Sequence, residues 1–101
     1  MSPESAATAF AYESITVATT AIGCTTSTVS PGGAPGAVRA VLTLETAQVR
    51  YRYDGTDPTS SEGHLLEIGE TLVLEGAANI DRFRAIRTGS TSGVLKVTYE
   101  R

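Results

Sequence analysis

A chain of 101 residues with a formal charge of −3, a pI near 5.0, one cysteine and no tryptophan excludes several classes of protein at once. It forms one domain, burying roughly 60–70% of its unfolded surface, which leaves little room for a deep catalytic cleft. The acidic balance argues against nucleic acid, whose binders carry a basic excess, and against an anionic membrane surface; Cys24 alone forms no intramolecular disulfide.

Threonine, valine, glycine and serine are abundant and no long segment has helical periodicity, so short strands are expected throughout. The opening "MSPESAATAFAYES" lacks a basic stretch followed by an apolar run and is not expected to be a signal peptide. Residues 1–12 read as a flexible N-terminal arm ending in Phe10 and Tyr12; residues 13–101 read as a single β-sandwich domain. The first strand is "SITVATTA", with Ile15 and Val17 on one face, and Ile22 extends it past Gly23. Residues 25–37, "TTSTVSPGGAPGA", form a loop rich in φ-permissive points. In "AVRAVLTLET", Val38, Ala40, Leu42 and Leu44 alternate with Arg39, Val41, Thr43 and Glu45.

Next, "AQVRYRYDG" sets Val49, Tyr51 and Tyr53 on one face and Arg50 and Arg52 on the other. "YDGTDPT" is a hairpin corner: Asp54 caps it, Gly55 supplies a positive φ, and Pro58 stops pairing. His64 and Leu65 restart the strand. "IGE" (Ile68 to Glu70) is a second tight turn, before "ETLVLEG" with Leu72 and Leu74 inward. "NIDRFRAIRT" reads as a strand with an irregular start, because Ile80 and Phe83 are three apart. "GSTSG" reads as a hairpin loop into "GVLKVTYER", where Leu95, Val97 and Tyr99 oppose Val94, Lys96, Thr98 and Glu100. The expected fold is therefore all-β: a small antiparallel β-sandwich or jelly-roll-like barrel of about 6–8 short strands. No run of about 18 apolar residues offers a membrane span.

Chemistry-bearing motifs are scarce. His64 is the only histidine, and no serine near it sits in a nucleophile-elbow pattern, so it reads as a solvated or loop-bracing residue. One histidine and one distant cysteine make no zinc site. "DGTDPTSSEG" lacks the ligand spacing of a calcium loop, and "PGGAPG" has no following helix to help hold a phosphate. No catalytic residue, cofactor or metal is expected. The arginines alternate with apolar residues in "VRYRY" and "DRFRAIR". They suit either cross-strand pairing with Glu45, Glu70, Glu75 or Glu100 or a protein interface, where arginine and tyrosine are enriched. The candidate protein-contact residues are Phe10, Tyr12, Arg50, Arg52, Arg82 and Arg84.

The stretch "LTLETAQVRYRYDGTDPTSSEGHLLEIGETLVLEG", with "FRAIRTGSTSGVLKVTYER", resembles small virion structural proteins of tailed bacteriophages and prophages. The resemblance covers residues 13–101 and is most specific at "VRYRYDGTDPT", "GHLLEIGETLVLEG" and "LKVTY". It implies a non-enzymatic capsid decoration or cement protein. Such a protein binds the major capsid protein or other virion proteins, homo-oligomerises (a trimer is one arrangement), and resides in virions assembled in the host bacterial cytoplasm. A tail or head–tail connector role is the nearest alternative. A shorter likeness, over "RYRYDGTDPTS", is to a hairpin of immunoglobulin-like accessory domains of chitin- and hexosamine-degrading enzymes. It raises a third reading, a carbohydrate-binding β-sandwich module, for which Tyr51, Tyr53 and Tyr99 are the available aromatic platform.

Overall fold

Among the described residues, alternating burial builds seven strands into two antiparallel sheets. The structure is a computed structural model and describes residues 7–30 and 36–101. Strands β1 (Ala9–Val17), β7 (Gly93–Glu100), β2 (Arg39–Glu45) and β5 (Thr71–Glu75) lie in that order in one sheet. Strands β4 (His64–Leu66), β3 (Val49–Arg52) and β6 (Arg84–Arg87) form the other. A bridge between Ile22 and Ala85, with backbone bonds of 2.9 Å in both directions, adds a point of pairing beyond β6.

The connectivity follows one rule: the chain is a long hairpin that has been rolled up. The outermost strands β1 and β7 pair, then Ile22 with β6, then β2 with β5, and innermost β3 with β4. Rolling adds the contacts β2–β7 and β3–β6. This is the jelly-roll arrangement, with its second strand reduced to the single bridge at Ile22.

The core lies between the sheets. Ile15, Val17, Ala40, Leu42, Leu44, Leu74, Leu95, Val97 and Tyr99 come from the four-stranded sheet, and Val49, Leu66 and Ala85 from the other. A fully buried side chain of the Val, Leu or Ile type contributes about 1.5–3 kcal/mol, so this double row is the main source of stability. Among the described residues two short helices accompany the sandwich: α1 (Thr26–Val29), packed near β1, and α2 (Ala77–Arg82), packed on β5 and β2 with Ile80 buried.

Four expectations change. First, residues 26–29, expected within the loop of residues 25–37, form α1. Second, residues 77–82 are helical, where the start of "NIDRFRAIRT" was expected to be strand. The three-residue step from Ile80 to Phe83 is a helical spacing, and it turns both side chains into the core. Third, "GSTSG" is not a hairpin loop: it carries the chain from β6 in one sheet to β7 in the other. Sheets in a sandwich stand about 10 Å apart, a gap that five small residues span. Fourth, Ala9 to Tyr12, expected in the arm, belong to β1 and pair with β7 through a register shift between Ala9 and Ala11. Residues 1–6 of the expected arm, and 31–35 of the expected proline–glycine loop, lie outside the described residues.

The crossing into β7 depends on Gly93. A Cβ there would stand 2.7 Å from the Ala47 carbonyl oxygen and 2.7 Å from Val49 Cγ1. Neither neighbour is the free end of a flexible chain, so Gly93→Ala overpacks the site at a cost of about 1–3 kcal/mol. The expected thermal midpoint is lower by roughly 5–20 °C, at about 4–8 °C per kcal/mol for a domain of this size; calorimetry checks it.

Candidate functional site

Strand β3 points Val49, Tyr51 and Tyr53 to the inner side of its sheet, and burial decreases along that row. Val49 is fully buried, Tyr51 is half-buried and Tyr53 is 42% exposed. On β4, Leu66 is buried and His64 exposed, with His64 directly opposite Tyr51 in register. The inner face of the three-stranded sheet thus runs beyond the core and emerges as an aromatic shelf. Tyr51 and Tyr53 stack with centroids 6.3 Å apart and planes inclined by 21°. His64 lies 5.4 Å from Tyr51 and 6.3 Å from Tyr53. Phe83 backs the shelf from the core, 5.9 Å from Tyr51.

An open concavity of about 730 Å³ lies over this shelf, lined also by Arg52, Asp54, Glu62 and Gly63 of the β3–β4 hairpin and by Asn79 and Arg82 of α2. The hairpin loop is held by its own hydrogen bonds. Arg50 donates to the carbonyls of Ser60 (3.2 Å) and Gly63 (2.7 Å). Arg52 grips Asp54 through two hydrogen bonds, of 3.1 and 2.6 Å. The guanidinium hydrogen bond holds the Asp54 carboxyl down to about 2. Asp54 also accepts the Thr56 N–H at 3.3 Å, and Gly55 takes φ 92°, as the turn chemistry requires. The Thr59 hydroxyl accepts the N–H groups of Ser61 and Glu62, at 3.3 and 2.9 Å. Pro58 is buried, and a Cβ on Gly63 would sit 3.1 Å from it. The opening corner of the hairpin is therefore a built feature with a fixed shape.

The six expected contact residues do not form one patch. Arg50 and Arg84 are occupied internally, Arg84 donating to the carbonyls of Asp81 (2.9 Å) and Phe83 (2.7 Å). The Phe10 ring lies beneath the Arg101 guanidinium, 4.1 Å from its centroid. Tyr12 stands 60% exposed on β1. Arg52 and Arg82 reach the concavity. Acid pairing of the outward arginines is seen at Arg39, 3.2 Å from Glu100 and 3.9 Å from Glu75, not at Arg50 or Arg84. Tyr99 drops out of the aromatic platform. It is fully buried, and its hydroxyl donates to Glu13, whose carboxylate also accepts from the Thr25 hydroxyl (2.6 Å) and N–H (3.0 Å). Burial pushes both the Tyr99 phenol and the neighbouring Cys24 thiol up from their ordinary values.

A second surface is the outer edge of β1. Thr8 and Arg101 exchange two backbone bonds of 2.9 Å, while Val38 N–H donates to the Glu100 carbonyl at 2.9 Å. Antiparallel bonding alternates along a strand, so Tyr99, Val97, Leu95 and Gly93 turn toward β1. Their partners are Ala11, Glu13, Ile15 and Val17. The N–H and C=O groups of Tyr12, Ser14 and Thr16 then point away from the sheet, and no backbone group among the described residues pairs with them.

Both surfaces are suited to binding: one through ring faces and planar polar groups, the other through backbone pairing. No group of three His, Cys, Asp or Glu side chains among the described residues could hold a metal ion, and no described helix is long and apolar enough to cross a membrane. No family model, curated protein or solved structure matches the chain.

Proposed function

We propose that this chain is a structural protein of tailed-phage virions, a decoration or cement protein that binds the head shell through protein–protein contacts. The reading rests on the sequence likeness over residues 13–101, and one structural observation carries it: the unpaired edge of β1. Sheet edges are commonly blunted by lysine, proline or a covering segment. From Tyr12 to Thr16 the strand itself has neither lysine nor proline, Lys96 of β7 reaching the Ser14 hydroxyl (3.2 Å) from its paired side, and its one acid, Glu13, turns inward to Tyr99. An edge of this kind accepts a strand from another chain, gaining main-chain hydrogen bonds, while Tyr12 supplies apolar area beside it. A second copy of the chain, or a strand of the major capsid protein, meets that requirement. Contacts of modest strength, repeated over a shell, add up to a large resistance to separation of its subunits.

The test is co-sedimentation of the purified protein with heads that lack it. Saturable binding to heads is expected. Ser14→Pro removes one outward N–H while leaving the β1–β7 backbone bonds in place, losing besides only the exposed bond from the Lys96 ammonium to the Ser14 hydroxyl, and should weaken binding by about ten-fold or more, equivalent to about 1.4 kcal/mol. Recovery with tails but not heads would contradict the decoration reading and favour the connector or tail alternative. Equal binding by the Ser14→Pro protein, folded as judged by an unchanged unfolding midpoint, would remove the edge from the account.

A further inference from the structure

We infer that the concavity at the mouth of the roll is a binding site for a neutral saccharide. The first ground is the shelf itself. Tyr51, Tyr53 and His64 occupy positions that would be core if the four-stranded sheet extended over them, yet Tyr53 and His64 are exposed. Aromatic surface left uncovered on the inner side of a sandwich, inside a recess of about 730 Å³, matches the general form of a small-molecule site: concave, apolar on one wall and furnished with a few polar groups.

The polar wall identifies the ligand class. A pyranose ring presents apolar C–H faces above and below, and hydroxyls around its rim. It is recognised by stacking on an aromatic ring while planar amide, carboxylate and guanidinium groups bond the hydroxyls. Tyr53 and His64 supply the stacking surface. Asn79 commits its amide nitrogen to the Glu75 carbonyl at 2.9 Å, which fixes the side chain and leaves its oxygen free to accept. Glu62 and Arg82 supply a carboxylate and a guanidinium, neither in an ion pair among the described residues.

Charge discriminates against the other candidates. The lining holds Arg52 and Arg82 against Asp54 and Glu62, so its formal charges cancel. A phosphate, a sialic acid or a nucleic-acid strand would meet two carboxylates with no cationic excess, whereas stacking proteins for single strands line the groove with positive charge. A neutral sugar meets no such penalty. The site is independent of the β1 edge, which lies on the other sheet.

The experiment is an NMR titration of the full ¹⁵N-labelled chain with neutral oligosaccharides: cello-, malto-, manno-, galacto- and chito-tetraose. At least one member should shift the amides of Tyr53, Gly63, His64 and Asn79, leaving those of β1 in place. Tyr53→Ala should weaken that sugar by about ten-fold or more without moving the thermal midpoint or head binding. Asn79→Ala should weaken it while leaving Tyr53 stacking intact. The inference is overturned if no sugar shifts these amides at millimolar concentration, if the shifts map elsewhere, if Tyr53→Ala binds as the parent does, or if an oligo-dT control shifts the same amides more strongly than any sugar.

Discussion

Replacing Phe83 with alanine is expected to cost about 3–5 kcal/mol, the usual range for deleting a buried aromatic ring. Phe83 is fully buried where α2 ends and β6 begins. Its ring meets Tyr51, and its carbonyl lies 2.6 Å from where a Cβ on Gly23 would be, so backbone crowds it on that side. Phe83 therefore sits among elements fixed by both sheets, and the void left by alanine has little freedom to close. A domain nets about 5–15 kcal/mol in all, so this one change removes a large part of the margin. Urea unfolding should show a midpoint lower by more than about 1 M, given a slope of about 1–3 kcal/mol per M. The loss should also reach the shelf, because Tyr51 loses its backing. A cost below about 1 kcal/mol would mean that Phe83 is not the wedge described here.

The second large effect is alkaline. Cys24 and Tyr99 both have thiol and phenol groups raised from ordinary values of 9.0 and 10.0, chiefly because burial disfavours the anions. Tyr51 is raised in the same direction by its partial burial and by Tyr53. A raised folded value means that the native state holds its proton where the unfolded chain has released it. The stability tied to these groups is therefore complete below about pH 9 and is lost as pH rises through and beyond the unfolded values. A group that keeps its proton across that window contributes a slope of at most about 1.4 kcal/mol per pH unit; the buried Tyr99 phenol comes nearest to it, and the more exposed Tyr51 adds little. Urea midpoints measured from about pH 8 to about pH 11 should fall steeply. The paired change Cys24→Ala and Tyr99→Phe should flatten the curve. A flat profile for the parent protein would show that the buried Tyr99 and the partly buried Cys24 beside it do not keep their protons in the folded state.

Much of the fold was legible in the sequence because its strands are half-buried and alternate cleanly. Ala40, Leu42 and Leu44 share one buried face of β2, Leu74 is buried in β5 and Leu95 and Val97 in β7, each on the row that alternation gave it, whereas Val38, at the head of the β2 row, stands 50% exposed. The hairpin corner was legible through Asp54 and Gly55, whose turn chemistry is local. Sheet membership was not, since nothing in "GSTSG" says whether the chain folds back or crosses over. Helix α2 was obscured because its only buried member is Ile80, and one apolar residue carries no period.

The candidate site was less legible for a related reason. Arg50 looks like a contact residue until the loop ten to thirteen residues on folds back and takes its guanidinium. Asn79 and Glu62 carry no motif, and they face the shelf only because the roll brings α2 opposite the β3–β4 hairpin. Alternation set Tyr99 on the face of Leu95 and Val97, but that rule alone did not keep it out of the expected aromatic platform, from which its complete burial removes it. The same rule left open that Tyr53, on an equally regular row, would run past the end of the core and emerge exposed.

Cryo-electron microscopy of purified virions tests the account most directly. Density is expected on the outside of the head that fits a two-layer roll of seven strands, docked with β1 against a neighbouring strand and repeated in a fixed ratio to the capsid subunits. Virions that lack the chain altogether, or carry it only in the tail, would contradict it.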